Sequence, residues 1–599
     1  MKRLTAIMVS VLLGLSSFIA YGGHFEKHEV TVPLSFDYYY SYDMVVEALQ
    51  KLHRTYPQLT RLDLVGKSEE GRGIYCMTIN NPKTGKESEK PGVYVDGNIH
   101  GNEIQAAEVA LYLLNYLLNK YGTNDEITGV VDKNVFYVVP MVNVDGRYHF
   151  LEDPVPSGNR GLRRPHDDDH DGLKDEDFPD DLDGDGSITR MRKRDPHGLY
   201  KTDPEDPRVM VRVKPGETGE WSMLGEEGID NDGDGRVNED SEGYVDPNRN
   251  WGFNWMPDYV QRGAGDYPFS GTGIRALGRY IRQRPNICMA WAFHNYGGMY
   301  LRGPSTKDQD EYPSRDIAVY DYLGKQAERI TPGYRYLIGW KDLYGTYGDF
   351  VEWMVMVNGA YGFVGELFMR SQETFRSIEE SKRIDATKRA LSQEMDEESG
   401  GGMFRSNPEE EREQLKYNDH VVQGELFKPW KPYKHPTFGD IEIGGWVKLS
   451  RRLPAPFMLK DLVHRNAMAV IFSAKNTPEV SMEVFETRKI GKGLYRIRVR
   501  LVNSKAIPTM TYHAQQVHLY PKDMLTVSGK SINVAAGGEI RNLYRDEVTY
   551  KEYRPEIQFL FVPGFGKVEY QFLVTGSGAV TLEYTSRHAG RIVKTVTLK

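Results

Sequence analysis

Two cysteines in 599 residues, Cys76 and Cys288, are too few to staple a chain of this length, so a disulfide framework is excluded. Each lies inside an apolar run, GIYCMTI and NICMAWAF, where a buried free thiol is the ordinary reading and one disulfide between them the alternative. Neither has the setting of a nucleophile. Positive charge is also scarce, with 76 Lys and Arg against 85 Asp and Glu and a formal net charge of −9. No basic stripe interleaved with aromatics could follow a phosphate backbone, which argues against nucleic acid as a partner. After the N-terminus no segment reaches the roughly 20 apolar residues that span a bilayer. The start itself, MKRLTAIMVSVLLGLSSFIAYGGHF, carries two basic residues, an apolar stretch and then Ala20, Gly22 and Gly23. That is the pattern of a secretory signal peptide over residues 1–23, with an uncleaved anchor as the alternative. It implies a secreted or periplasmic chain with no membrane span once the signal is removed.

What is present describes a folded protein: 39% hydrophobic and 27% charged residues with 38 tyrosines, at a length that implies more than one domain. From about 40 to 150 helix-like and strand-like text alternates. SYDMVVEALQKLHRTY has helical spacing, LTRLDLVGKS and GIYCMTI read as strands, and GVYVDG and KNVFYVVP read as buried strands around an apolar helix. This predicts an α/β fold in which functional residues collect at the carboxyl ends of strands. Residues 152–243 interrupt it with acidic, Gly-rich text and read as an insertion. From about 433 short β-branched runs such as LYRIRVRLVN and KVEYQFLVTG, separated by Gly, Pro and Asn, predict an antiparallel sandwich.

His100 and Glu103 stand where VYVDG ends and the apolar helix begins. His-x-x-Glu alone is a weak signal, but zinc takes imidazole and carboxylate ligands and a catalytic site uses three of them. His294, at the end of the apolar strand text AWAFHNYGG, is the best third supplier. His53, His166, His197, His420 and His435 lie in helix-like, charged or loop text and read as surface residues.

Five segments in order, GNIHGNE, NVDG, DPNRNW, AFHNYG, and LYGTYGDFVEW followed by GFVGELF, resemble the zinc carboxypeptidase family, the carboxypeptidase A-like metallopeptidases, over about residues 40–430. The resemblance implies a three-layer mixed sheet flanked by helices, in a catalytic domain taken as 24–432 that contains the insertion; beyond about residue 430 it says nothing, and the all-β sandwich over 433–599 rests on the strand pattern alone. The resemblance also implies a hydrolase that removes the C-terminal residue of a peptide or protein with a free C-terminus. His100, Glu103 and His294 would hold one Zn2+, and Glu366 would act as general base and then general acid. Asn248 and Arg249 would bind the terminal carboxylate, and Asp246 would orient a zinc histidine. Tyr344 would cap the substrate, with Tyr347 as competitor. Arg163 would polarise the carbonyl, with Arg164 and Arg192 open because the insertion disturbs the spacing. Val351 would face the last side chain and favour an apolar or aromatic one, although Asp349 close by could turn the pocket toward basic residues.

The insertion departs from the family. It carries Asp167, Asp169 and Asp171, then Asp181, Asp183 and Asp185, then Asp230, Asp232 and Asp234, each triplet with a glycine after it. Alternate aspartates before a glycine suit Ca2+, although the twelfth positions hold Phe178, Arg192 and Ser241 in place of the usual glutamate. Such ions would stiffen a loop near the catalytic mouth without entering the chemistry. Two other functions compete: a peptidoglycan or unusual-peptide hydrolase on the same zinc chemistry, and a calcium-stiffened binding protein on an inactive scaffold.

Overall fold

The computed structural model describes residues 30–167, 172–240, 243–369, 379, 408–450 and 452–598. The expected signal peptide lies outside these residues.

Strand β1 (Thr60–Lys67), β2 (Gly73–Ile79), β3 (Gly92–Gly97) and β4 (Val135–Val139) belong to one eight-stranded mixed sheet. Helix α1 (Tyr42–Thr55) begins at Ser41, whose hydroxyl accepts from Met44 N at 3.3 Å, and buries Val45, Ala48, Leu49 and Leu52 at helical spacing. Helix α2 (Ile104–Lys120) follows β3 and is buried along most of its length. Helices α3 (Asp125–Lys133) and α4 (Val144–Glu152) flank β4. Within the insertion lie β5 (Arg190–Arg194), β6 (Tyr200–Thr202), β7 (Met210–Arg212) and β8 (Trp221–Glu226). The main fold resumes with α5 (Thr272–Arg282), β9 (Ile287–Asn295), β10 (Met299–Arg302), α6 (Ser314–Ile330), β11 (Arg335–Ile338), α7 (Phe350–Asn358) and β12 (Tyr361–Leu367).

The strand order is β1-β2-β4-β3-β9-β12-β10-β11. Strands β4, β3, β9 and β12 run parallel at its centre, and β9 is buried at every residue, as the continuous apolar text ICMAWAF requires of a strand covered on both faces. The carboxyl ends of β3, β9 and β12 therefore open at one edge of the core. Arg147 fixes the loop at the end of β3. Its guanidinium is fully buried, lies 2.6 Å from Glu108 Oε1, and donates to Ile104 O at 2.9 Å and Asn98 Oδ1 at 3.2 Å. Removing one member of such a buried pair strands the other and costs on the order of 3–5 kcal/mol.

Two features differ from the expectation for the C-terminal part. Helix α8 (Pro408–His420) is followed by β13 (Phe427–His435) and β14 (Gly439–Trp446), and β14 pairs with β5 at Glu442↔Arg192. The alternating text on either side of 433 thus joins the insertion in a second, six-stranded sheet, β13-β14-β5-β8-β6-β7. Helix α9 (Pro456–Lys475) then packs Leu459, Val463, Ala467, Val470 and Ala474 into the same core as β9 and α2. Among the described residues, nine strands between Val480 and Leu598 form two all-antiparallel sheets of five and four. They enclose a separate core that includes Ile497, Val499, Leu501, Phe572, Val574 and Leu582.

Candidate metal centre and active-site cleft

Asn98 ends β3 in the left-handed region, φ 56°, and its amide donates to the carbonyls of His100, at 2.6 Å, and Gly101, at 3.1 Å. That turn delivers His100 and Glu103 to the strand end. Gly101 meets Gly146 of NVDG so closely that a Cβ on Gly101 would lie 2.6 Å from the Gly146 Cα. The same motif supplies Asn143, whose amide donates to the carbonyls of Arg160 and Gly161 at 3.1 and 2.7 Å, while Gly101 N donates to Arg160 O at 3.0 Å. Two motifs far apart in the chain therefore pin the backbone of Arg160.

His100 Nδ1 lies 2.9 Å from Glu103 Oε1, and His294 Nδ1 lies 3.0 Å from Glu103 Oε2. The two Nδ1 atoms are 3.3 Å apart. A tetrahedral ion bound at about 2.0–2.1 Å separates its ligand atoms by about 3.3 Å, and two imidazoles with a carboxylate are a zinc-type donor set. All three side chains are buried. Burial alone would raise the carboxyl of Glu103, but the adjacent imidazoles of His100 and His294 hold it well below the usual carboxylate range. The residues fit such an ion.

His100 Nε2 faces Asp246 Oδ1 at 3.0 Å. Despite burial, Asp246 stays well below the ordinary carboxylate range because Arg160, His100 and Arg249 surround it. Its Oδ1 also accepts from Asn248 N at 2.8 Å. Glu366 is the register partner of His294 in the parallel pair β9–β12, so the two side chains stand side by side. Burial pushes its carboxyl up to about 7; Glu103 adds to the shift, and His294, Arg160 and Arg452 oppose it.

Both His100 and His294 line a cleft with Asn248, Arg249, Tyr344 and Glu366. Arg249 Nη1 donates to Asn248 O at 2.8 Å, and Asn248 Oδ1 accepts from Phe350 N at 2.9 Å. Tyr344, 40% exposed, stands at the opening. Tyr347 instead directs its hydroxyl to Asp308 at 3.4 Å. Val351, Val364, Leu301 and Leu343 form the apolar part of the lining. Asp349 also lines it, but its carboxylate caps α7, accepting from Glu352 N at 2.9 Å and from Thr346 Oγ1 at 3.3 Å. Glu352, buried beneath, accepts from Ser305, Gln309 and Tyr312, and burial together with the charge of Asp349 pushes its carboxyl up to about 8.

Three expected arginines lie elsewhere. Arg163 Nε is 3.9 Å from Glu70, and Arg164 Nη2 is 2.7 Å from Asp266. Arg192 is sandwiched between the rings of Trp221 and Trp430 and paired with Glu442 at 2.6 Å. Arg160 does reach the site, with Nη2 2.6 Å from His100 Nε2 and 3.0 Å from Asp246 Oδ2. In the sequence it is one of three arginines within NRGLRRP, and spacing alone does not choose among them. Arg452 was also missed. Its Nη1 stands 4.0 Å from Glu103 Oε1, and it comes from the stretch expected in the sandwich.

Of the acidic triplets, Asp169 and Asp171 lie outside the described residues, and Asp167 accepts from Gly172 N at 3.1 Å. Asp181, Asp183 and Asp185 gather in one group, and Asp230, Asp232 and Asp234 in another. Neither group lines the cleft.

A family model described as zinc carboxypeptidase matches residues 45–195 and 224–389, more than half of the chain. A second, described as a domain of unknown function, matches residues 479–597. Carboxypeptidase B of Astacus astacus is 25% identical over 370 residues, covering 57% of this chain and 94% of that protein. Carboxypeptidase D of Anas platyrhynchos is 35% identical over 119 residues, 20% of this chain; the matched stretch spans only 8% of that relative's length. Among solved structures, carboxypeptidase A from Helicoverpa armigera matches at 16% identity and a TM-score of 0.40, covering 78% of this chain and 82% of that one.

Proposed function

The chain belongs to the zinc carboxypeptidase family, and from that premise we propose that it is a metallocarboxypeptidase, releasing the last residue of peptides or proteins that carry a free C-terminus. His100, Glu103 and His294 would hold a zinc ion, which when bound supplies Lewis-acid polarisation of a carbonyl and a more acidic water. The observation that carries the reading is the register pairing of Glu366 with His294 beside these converged ligands. A carboxyl near 7 is poised both to take a proton from the attacking water and to return it to the leaving amine.

The other roles follow from position. Arg249 and Asn248 line the cleft where a substrate carboxylate would sit, and a guanidinium offers such a group two parallel donors. Arg160, held by the Asn143 and Gly101 contacts, is the donor for the developing oxyanion. Tyr344 at the rim would close over the bound peptide. The apolar lining of Val351, Val364, Leu301 and Leu343, with Asp349 engaged as a helix cap, supports a preference for an apolar or aromatic last residue. The same reading divides the chain into a catalytic unit that extends through α9 to Lys475 and a sandwich unit beginning at Val480. It assigns residues 1–23 as the leader of a secreted or periplasmic protein.

The test is release of the C-terminal residue from blocked dipeptides with varied last residues, with and without a zinc chelator. Release abolished both by chelator and by Glu366→Ala supports the reading. Release from muropeptides alone would favour a cell-wall hydrolase, and no hydrolysis by zinc-loaded protein would favour a binding scaffold.

A further inference from the structure

The two histidines of the candidate metal centre are served unequally. Both turn Nδ1 toward the shared carboxylate of Glu103, so a neutral ring that gives Nδ1 to an ion carries its proton on Nε2, and that N–H needs an acceptor. His100 has one in Asp246 Oδ1, at 3.0 Å. His294 is 2% exposed, and its Nε2 is buried without a hydrogen-bond partner. A donor stranded in a protein interior is costly.

A complementary acceptor is stranded on the same face of the sheet. Asp96, next to the last residue of β3, is fully buried. Its Oδ2 accepts from the Tyr94 hydroxyl at 2.9 Å, while its Oδ1 is buried without a partner. In the parallel pair β3–β9 Asp96 is in register with Ala292, two positions before His294. Residues two apart on a strand share a face, so Asp96 and His294 are diagonal neighbours, with Cα atoms about 8 Å apart from the rise along a strand and the spacing between strands. The charge of His294 bears on Asp96 as well: burial pushes the carboxyl up to about 7, and the Tyr94 hydroxyl and His294 oppose that rise.

We infer that Asp96 is the positioning residue of His294: its Oδ1 accepts the Nε2–H, directly or across one bridging water, and fixes that ring as Asp246 fixes the ring of His100. The Tyr94 hydroxyl holds the other oxygen and so aims the carboxylate. Asp96 acts only through His294. The consequence reaches the proposed chemistry, because His294 stands between Asp96 on β3 and its register partner Glu366 on β12. A ring free to turn could offer its N–H to Glu366 and occupy the carboxyl that has to accept a proton. The inference rests on the proposed metal centre and not on the identity of the substrate.

The test loads full-length protein with Co2+ and records proton NMR spectra in H2O and in D2O. Bound Co2+ moves the exchangeable N–H protons of its imidazole ligands far outside the normal range, so His100 and His294 each give a resolved signal that disappears in D2O. Asp246→Asn is expected to shift one signal and Asp96→Asn the other. Tyr94→Phe removes the second donor from the Asp96 carboxylate but keeps its charge, and is expected to shift the same signal as Asp96→Asn. Zinc affinity of Asp96→Asn, measured by competition against a chromogenic chelator, should fall by about 10–100-fold. Far-UV circular dichroism establishes that each variant is folded, and Tyr94→Phe carries the test where Asp96→Asn is not. With both signals present in the parent, the inference alone is overturned if folded Asp96→Asn leaves either its signal or the zinc affinity unchanged, or if folded Tyr94→Phe leaves both signals in place. A parent that shows no such pair of signals overturns the proposed metal centre and this inference with it.

Discussion

Arg160 and His100 share one carboxylate: Asp246 Oδ2 lies 3.0 Å from Arg160 Nη2, and Asp246 Oδ1 lies 3.0 Å from His100 Nε2. A single acid therefore orients both an imidazole of the candidate metal centre and a guanidinium beside it. Arg160→Ala is expected to lower kcat by about 10²–10³-fold, the effect of removing one oxyanion donor. Arg163→Ala, whose side chain faces Glu70, should leave kcat near the parent value. Steady-state kinetics of the two variants on one peptide compares the assignments directly, and equal losses would reject this one.

Asp246→Asn tests the other arm of the same carboxylate. Asparagine keeps the shape but not the charge that fixes the His100 ring, so zinc affinity should fall by about 10–100-fold. Competition against a chromogenic chelator measures it. Unchanged affinity would mean that the ring is held by its packing alone.

Glu366→Gln separates chemistry from metal binding. The side chain stands beside the ligand triad without belonging to it, so zinc content should match the parent while kcat drops by about 10²–10⁴-fold. A variant that loses zinc in proportion to activity would make Glu366 a structural support of the metal centre.

The selectivity of the cleft is a further test. Val351 is 4% exposed and packs against the strand that carries Glu366, with its Cγ1 2.9 Å from where a Cβ on Gly362 would stand. The parent should prefer C-terminal Phe or Leu over Lys. Val351→Asp should shift the kcat/KM ratio toward Lys by about tenfold, equivalent to about 1.4 kcal/mol. A parent that already prefers Lys would show that Asp349 or Glu352 governs the pocket despite their internal hydrogen bonds.

How far the sequence could be read depended on whether a signal was local. Alternation of helical and strand periods located the central sheet because β3 and β9 are buried on both faces and are written in uninterrupted apolar residues. His100, Glu103 and His294 could be grouped because each sits at the end of such a run. Arg160 could not be separated from Arg163 and Arg164, since what selects it is a backbone clamp from Asn143 and Gly101 that exists only after folding. Residues 427–446 misled for the opposite reason: their alternation does signal an antiparallel strand pair, but nothing local says that the partner is β5, more than two hundred residues earlier.

His588 gives the fold a sensitivity to acid that is independent of the cleft. It is 1% exposed at the junction of the sandwich with the first core, its Nδ1 is 3.1 Å from Thr509 O, and neighbouring Arg587 bonds Pro285 O. Burial, with a smaller contribution from the charge of Arg587, pushes its pKa down from 6.5 to about 3. Above about pH 6.5 the ring is neutral in folded and unfolded chains alike and contributes no pH dependence. As pH falls from there toward 3, the unfolded chain takes up a proton that the folded one refuses, so stability declines by up to about 1.4 kcal/mol per pH unit. Between pH 7 and pH 5 this amounts to about 2 kcal/mol. His588→Gln keeps a donor for Thr509 O but cannot titrate, so its unfolding free energy should fall less steeply over that interval by the same amount. Urea denaturation of parent and variant at both pH values supplies the difference, in which the shared carboxylate titrations cancel, and parallel slopes would show that His588 takes up its proton at the same pH in the folded chain as in the unfolded one.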